Sequence, residues 1–275
     1  MPNITAADVS KLRKITGAGM MDCKNALVEA EGDIDRAIEL IRERGKAIAT
    51  KRAGREAGEG AGLAKVNANA TRGAMIVLNC ETDFVAKNED FLKVAKKILD
   101  FALDTAPSNL EALKESVMEG RKVSDMITEF SGITGEKVEL SYYDQVEAPM
   151  VVPYIHPGNK LATIVGLSKV TDMQVAKDIA MQVAAMNPVS IDKEDVPEEV
   201  KLKELEIGRE QARLEGKPEN MLDKIAEGKL QKFFKESTLL NQEFIKDNKM
   251  TVRQYIQSAD KDLKVLAFKR VSLNV

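Results

Sequence analysis

Residues 73–103 read GAMIVLNCETDFVAKNEDFLKVAKKILDFAL, and this stretch decides the fold class. The apolar run at 75–78 predicts a buried strand, which pairs in a hairpin with residues 64–68. From about residue 88 to residue 103, apolar side chains recur at the 3.6-residue period of an amphipathic helix. A strand hairpin followed by such a helix indicates a mixed α/β region.

The same order of elements occurs again later in the chain. Residues 161–167 predict a strand and residues 172–186 an amphipathic helix, with little residue identity to the first copy. Two more strands are predicted at 137–143 and 150–155, and residues 156–159 form a hairpin turn. The economical interpretation is two similar α/β subdomains side by side.

The chain before this region predicts three short helices. Thr5 can cap the first helix, the glycines of 16–19 end it, and Asp33 can cap the third. Helices this short are marginal alone, so they must share one small core. Residues 45–62 hold five glycines and predict a linker that is helical at first and then loose.

The chain after the second helix becomes strongly charged. Residues 197–236 predict two antiparallel helices separated at 216–218, where proline follows glycine and lysine. This pair is expected to project from the body as a coiled-coil hairpin. Residues 262–275 alternate apolar and polar side chains, which predicts a strand that closes a sheet.

We therefore expect an α+β protein built from four units. They are a three-helix module with its linker (1–54), an N-terminal core subdomain (55–140), a C-terminal core subdomain (141–196 and 237–275) and an inserted helical hairpin (197–236).

Composition restricts the function. Lys and Arg number 41 against 44 Asp and Glu, and this near balance argues against DNA as a partner. No apolar stretch approaches the roughly 20 residues of a membrane span, and the N-terminus has no secretion signal. Two cysteines cannot form a disulfide framework, so the cytoplasm is the expected compartment.

The residues also argue against an enzyme. His156 is the single histidine, and no nucleophile motif surrounds it. The glycine-rich stretches 54–62 and 132–137 lack the Gly-Lys-Ser/Thr of a phosphate-binding loop, so we expect no direct nucleotide binding. No metal ligand set or cofactor site is expected.

Two segments leave alternatives open. Lys46, Lys51, Arg52 and Arg55 could contact RNA, although the absence of interleaved aromatic residues favours a solvated hinge. At the strand-to-helix junction, Asp83 could cap the next helix while Phe84 packs inward, which residue chemistry alone favours. Phe84 could instead be an exposed aromatic wedge on a rigid corner, suited to a partner's pocket.

Two motifs carry a family resemblance. TGAGMMDCKNAL (16–27) and CETDFVAK (80–87) resemble the two signature sequences of the bacterial elongation factor Ts family. Shorter matches follow in the family's order at 183–185, between 216 and 230, and at 251–252, so the resemblance covers almost the whole chain.

The resemblance implies a guanine-nucleotide exchange factor for elongation factor Tu, the GTPase that delivers aminoacyl-tRNA to the ribosome. It also implies that the first module is similar to the ubiquitin-associated fold. By position in the motifs, it implies roles for nine residues. Arg13, Met20 and Met21 would dock on the GTPase, Phe84 with Thr82, Asp83 and Val85 would insert near the nucleotide and displace Mg²⁺, and Gly135 and His156 would contact the partner.

The sequence departs from the family at two positions of one helix. Gln182 and Asp178 stand where many members have histidine. Some members also continue into a short C-terminal helical module, which we expect to be missing because this sequence ends at Val275. Besides the exchange factor, two hypotheses remain: a non-catalytic adaptor for helical partners, and an RNA-binding protein that uses residues 46–55.

Overall fold

In a computed structural model, the chain is described over residues 4–273. Residues 1–3 and 274–275, the outermost parts of the first and last expected units, lie outside the described residues. Within the described range the chain forms eleven α-helices and ten β-strands, apart from short 3₁₀ turns. In chain order these elements are α1 (Ala6–Thr16), α2 (Met20–Glu29), α3 (Ile34–Arg52), β1 (Glu59–Val66), β2 (Arg72–Cys80), α4 (Asp83–Ala86), α5 (Glu89–Thr105), α6 (Leu110–Glu115), β3 (Val117–Met118), β4 (Arg121–Lys122), α7 (Val123–Thr134), β5 (Glu139–Glu147), β6 (Met150–Ile155), β7 (Leu161–Leu167), α8 (Met173–Met186), α9 (Glu198–Leu214), α10 (Leu222–Ser237), β8 (Glu243–Phe244), β9 (Asp247–Thr251), α11 (Val252–Ala259) and β10 (Val265–Ser272).

The three predicted N-terminal helices are confirmed. Thr5 and Asp8 form a capping box at the start of α1, and Gly17 ends that helix with φ +72°. Asp33 caps α3 by accepting hydrogen bonds from two backbone amides. The three helices share one small core, which consists mainly of Leu12, Cys23, Ala26, Leu27, Ala37, Leu40 and Ile41.

The first α/β unit is an antiparallel sheet in the order β1-β2-β5, covered on one face by α5. Along β2, Ile76 and Leu78 face α5, whereas Met75 joins a second core with Ile164 and Val151 of the other sheet. The strand is thus buried on both faces, which explains why its sequence is an uninterrupted apolar run rather than an alternating one.

The second α/β unit repeats this arrangement with the order β10-β7-β6, and α8 packs on its sheet. The strand predicted at the C-terminus is confirmed as β10, which pairs antiparallel with β7. The predicted boundary after residue 140 falls inside β5, because this strand stays hydrogen-bonded to β2 as far as Glu147. The first unit therefore extends further along the chain than its apolar pattern indicates.

The charged segment forms two long helices, α9 and α10, that pack against each other. Small residues lie where they cross: a Cβ atom at Gly208 would come within 3.0 Å of the Ala226 Cα atom. Ala212 and Ala226 are fully buried, while Leu214 is 87% exposed. The two helices approach through small side chains, and Leu222 at the start of α10 is also buried, whereas Leu214 at the end of α9 is not.

The expected linker is shorter than its composition indicates. Helix α3 continues to Arg52 and packs on α7, where Gly45 and Gly132 meet so closely that a side chain on Gly132 would collide with the Gly45 backbone. Residues 59–62, expected to be loose, belong to β1. The N-terminal module is therefore attached to the first unit by helix packing, with only residues 53–58 outside regular elements.

Candidate functional site

A rigid corner joins β2 to α5. Thr82 caps the four-residue helix α4 by accepting a hydrogen bond from the Val85 amide, and Asn88 caps α5. The capping role considered for Asp83 is therefore taken by Asn88, and the Asp83 carboxylate instead accepts a hydrogen bond from Lys87 at 2.7 Å. This bond holds the pKa of Asp83 below its ordinary value.

Phe84 does not pack inward, because 83% of its side chain is exposed. The next two residues, Val85 and Ala86, are partly buried and pack on the core of the first unit. They occupy the inward-facing positions of this turn, which leaves the ring of Phe84 outside. The exposed ring is available to a partner, and aromatic side chains are enriched among the residues that contribute most to protein–protein contacts.

Two glutamates join the corner to the loop that follows α7. Glu136 accepts hydrogen bonds from the amides of Glu81 and Thr82, at 3.1 and 3.0 Å, and from the Thr82 hydroxyl at 2.6 Å. Glu81 in turn accepts a hydrogen bond from the Lys137 amide at 2.7 Å. The two segments therefore hold each other through charged acceptors, which form stronger bonds than neutral ones.

Glu81 also reaches the N-terminal module. Its carboxylate accepts a hydrogen bond from Arg52 at 2.9 Å and lies 3.7 Å from the Arg55 guanidinium. The Lys137 amide and these cations hold the pKa of Glu81 below its ordinary value. Two of the four basic residues considered for RNA are thus directed at a carboxylate of the corner.

Cys80, at the end of β2, is a packing residue. Its thiol donates a hydrogen bond to the Thr82 carbonyl at 3.2 Å. Burial raises the pKa of this thiol to about 12, so at neutral pH it carries no charge. An uncharged thiol is a poor nucleophile.

Two further contact candidates lie at the same end of the first sheet. Gly135 ends α7 with φ +70°, directly before Glu136. The turn after β6 contains exposed His156, whose Nδ1 lies 2.9 Å from the Tyr154 hydroxyl. Lys160 of this turn pairs with Glu59 at 2.8 Å, and Glu59 lies opposite Cys80 across the β1–β2 ladder.

The N-terminal module presents a separate apolar surface. Met20 and Met21 are 63% and 64% exposed, so neither belongs to the module's core. Together with Val9, Arg13 and Lys24 they line a groove of about 350 Å³. Methionine adapts to irregular partner surfaces, and the flanking cations would favour an acidic or amphipathic helix.

A separate cleft lies between the module and the core. This cleft, of about 600 Å³, has Arg13 and Ile15 on the module side and Val85 and Lys93 on the core side. The structure thus brings Arg13 near the corner that carries Phe84. Of the nine residues to which the family resemblance gives roles, Arg13 and Val85 line this cleft, and Arg13 also lines the groove with Met20 and Met21.

The two positions that depart from the family face inward in this chain. Asp178 accepts hydrogen bonds from Lys246, Tyr255 and Gln174, and Gln182 donates to Gln242 and accepts from the Ile245 amide. Burial disfavours the charge on Asp178, but these bonds outweigh it and hold the pKa of Asp178 below its ordinary value. Both side chains therefore hold the segment around β8 and β9 to α8.

Sequence reasoning missed both polar networks. Asp178 and Gln182 are spaced i, i+4 beside Ile179 and Val183, so the helical period could have placed them on the buried face. Glu81 and Glu136 offer no such signal, because 55 residues separate them and neither interrupts an apolar pattern.

Comparisons with known proteins agree with one another. The family profile described as "Elongation factor TS" matches residues 81–274. A protein of Christiangramia forsetii named "Elongation factor Ts" is 54% identical over 275 residues, spanning 99% of this chain and 100% of that protein. Another of the same name, from Amoebophilus asiaticus, is 56% identical over 271 residues, or 98% of each chain.

These matches make the chain a translation elongation factor. More narrowly, it belongs to the elongation factor Ts family. No helix within residues 4–273 combines the length and apolar character that crossing a bilayer requires.

Proposed function

We propose that this protein is a guanine-nucleotide exchange factor for elongation factor Tu, acting during polypeptide elongation. It would bind the GDP form of the GTPase, displace Mg²⁺ and promote GDP release so that GTP can bind. The observation that carries the proposal is the exposed ring of Phe84 on a corner whose backbone is held from both sides. Family membership supports the choice of partner.

The proposed mechanism requires no bond making, so the protein would not be an enzyme in the chemical sense. A ring inserted beside the nucleotide would shift the local backbone and disturb the near-octahedral shell that Mg²⁺ demands. The phosphates would then lose charge compensation, and the nucleotide-free state would be favoured. Thr82, Asp83 and Val85 would support Phe84 at this point, and the protein itself would bind no nucleotide or cofactor.

The energetics require more than one contact. A release rate raised roughly 10⁴-fold corresponds to about 5.5 kcal/mol of differential stabilisation. One buried phenyl ring with a neighbouring hydrogen-bonded carboxylate would supply about half of this. The rest would come from docking through Arg13, Met20 and Met21, and through Gly135 and His156.

We also propose roles for the larger units. The three-helix module would be a docking domain similar to the ubiquitin-associated fold, and α9 with α10 would be a coiled-coil arm. The division into module, two core subdomains and inserted hairpin remains our proposal for the domain organisation. The cytoplasm would be the compartment, with no DNA or membrane partner.

Stopped-flow release of fluorescent mant-GDP from elongation factor Tu tests the function. We expect catalytic amounts of this protein to accelerate release. In excess EDTA the acceleration should shrink, because the ion that the ring would displace is already gone. Unchanged release in the presence of Mg²⁺ would exclude the exchange function and leave the adaptor hypothesis, provided that the two proteins still co-purify.

Docking can be tested separately with a matched pair of variants. The double substitution Met20→Ser and Met21→Ser should raise the half-saturating concentration at least tenfold, because two exposed thioethers lose their apolar contact. Met173→Ser changes a half-exposed methionine of α8 and should leave the half-saturating concentration unchanged. Equal effects of the two changes would argue against docking through the groove.

A steep salt dependence of binding to tRNA alone would instead favour the RNA hypothesis.

A further inference from the structure

The corner that carries Phe84 cannot hold its own shape. Helix α4 has only four residues, far below the length at which a helix is stable by itself. The ring contributes little packing, since 83% of it is exposed. Packing of Val85 and Ala86 on the core turns the ring outward, but a helix this short also needs groups outside it to fix its orientation.

Glu136 is the group best placed to do this. Its carboxylate accepts hydrogen bonds from the backbone amides of Glu81 and Thr82 and from the Thr82 hydroxyl. These two residues lead directly into α4. The same Thr82 hydroxyl oxygen accepts the capping bond from the Val85 amide at 3.4 Å. One carboxylate thus fixes both the backbone that enters the turn and the side chain that caps it.

We propose that Glu136 is a positioning residue for nucleotide exchange, an inference that rests on the function proposed above. It holds α4 so that Phe84 is presented in a single direction before the partner arrives. The ring therefore meets the partner already oriented, which lowers the ordering cost of reaching the exchange-active state.

This role predicts an effect on the rate that Phe84 governs and little effect on docking. The groove with Met20 and Met21 belongs to another module and shares no hydrogen bond with Glu136 among the described contacts. In Glu136→Ala, three donors lose a charged acceptor and α4 samples other orientations. We expect the maximal exchange rate to fall about tenfold, while the half-saturating concentration changes less than twofold.

Two further variants separate positioning from a general loss of charge or fold. Glu136→Gln keeps an oxygen for the two amides and an amide group that can donate to the Thr82 hydroxyl, so it should restore the rate to within about threefold. Glu147→Ala removes a carboxylate paired with Arg72 at the opposite end of β2, and it should exchange like the unmodified protein.

A double-mutant cycle provides the decisive measurement. If Glu136 acts through the ring, Glu136→Ala combined with Phe84→Ala exchanges no more slowly than Phe84→Ala alone. Multiplicative losses, or a normal maximal rate in Glu136→Ala, would overturn the proposal. Should Glu136→Ala fail to fold, Thr82→Val removes the hydroxyl from the same network and takes its place in the cycle. Failure of the unmodified protein to accelerate release would instead refute the exchange function itself.

Discussion

The two α/β units share one frame and use it differently. In each, a central strand lies between two antiparallel neighbours and leads through a corner into a helix that covers the sheet: β2 leads into α5, and β7 into α8. The first corner, residues 81–88, contains an extra helical turn with an exposed ring. The second, residues 168–172, is short, and Asp172 caps α8 directly.

The buried polar groups lie in different places. The buried face of α5 is entirely apolar, and the charged network of the first unit joins Glu81 of its corner to Glu136 of the loop after α7. In the second unit the buried polar residues Asp178 and Gln182 belong to the helix itself. There they hold the chain segment that returns from the α9–α10 hairpin.

This difference shows how a repeated frame acquires two tasks. Where apolar packing alone fixes the helix, the polar groups are available to orient an exposed side chain. Where the helix must hold a returning segment, its own face supplies hydrogen-bonding groups whose geometry selects that segment. The comparison predicts effects of different size for matched substitutions in the two units.

The largest expected effect on stability compares Phe91 of α5 with Val175 of α8, because each is the third residue of its helix. Phe91 of α5 is fully buried, with its ring 6.2 Å from that of Phe130, whereas Val175 of α8 is only partly buried. Phe91→Ala should lower the free energy of unfolding by about 4 kcal/mol, and Val175→Ala by about 1 kcal/mol. Urea denaturation measures both. Similar losses would mean that α5 does not depend on apolar packing more than α8 does.

The next effect compares the two corners. Phe84 and Val170 are both largely exposed, at 83% and 76%. Phe84→Ala should slow catalysed mant-GDP release about 100-fold, equivalent to ~2.7 kcal/mol, because the wedge is lost. Val170→Ala should leave release unchanged. Both variants should unfold within about 0.5 kcal/mol of the unmodified protein, since neither side chain is packed.

The outcome at the corners has two informative alternatives. If both substitutions slow release, the two corners meet the GTPase together and the units have one task. If neither does, the ring of Phe84 has no part in exchange and the proposed mechanism fails; any acceleration of release then comes from other contacts.

The repeated frame could be predicted from the sequence because its signals are local. The apolar run at 75–78 and the helical period of α5 depend on neighbouring residues, as do the caps at Thr5 and Asp33. The extension of β5 to Glu147 was missed because its half-buried residues resemble a loop in composition. Residues 53–58 are the only part of the expected loose linker that stays outside regular elements in the described chain.

The site was less predictable because its parts are distant in sequence. Hydrophobicity alone favoured a buried Phe84, and the structure exposes it because Val85 and Ala86 already fill the inward positions. The family motif pointed to the ring, but no local pattern connects residue 81 with residue 136. Such a contact depends on how α7 packs, which is a property of the whole unit.

The third effect tests the polar helix of the second unit. Asp178→Asn replaces one acceptor oxygen with a donor that faces Lys246 or Tyr255. We expect a loss of about 2 kcal/mol in the free energy of unfolding and faster amide hydrogen exchange in β8 and β9. The same substitution at Asp104, exposed on α5, should change stability by less than about 0.5 kcal/mol. Unchanged exchange in β8 and β9 would show that Asp178 does not hold this segment.

The smallest effect is a pH dependence that Asp178→Asn should show and Phe91→Ala should not. The pKa of Asp178 is lower in the folded protein than its ordinary value of 3.8, so the folded state favours the charged form. Its stabilising contribution is complete well above that value and is lost as the pH falls through 3.8 towards the folded pKa. The stability difference between the unmodified protein and Asp178→Asn should therefore be constant from about pH 7 to 5 and shrink near pH 3. Phe91 carries no charge, so the difference for Phe91→Ala should stay flat over the same range. A flat profile for Asp178→Asn would mean that the carboxylate is bound no better when charged than when neutral, and the second unit would then hold its returning segment through packing and neutral hydrogen bonds such as those of Gln182.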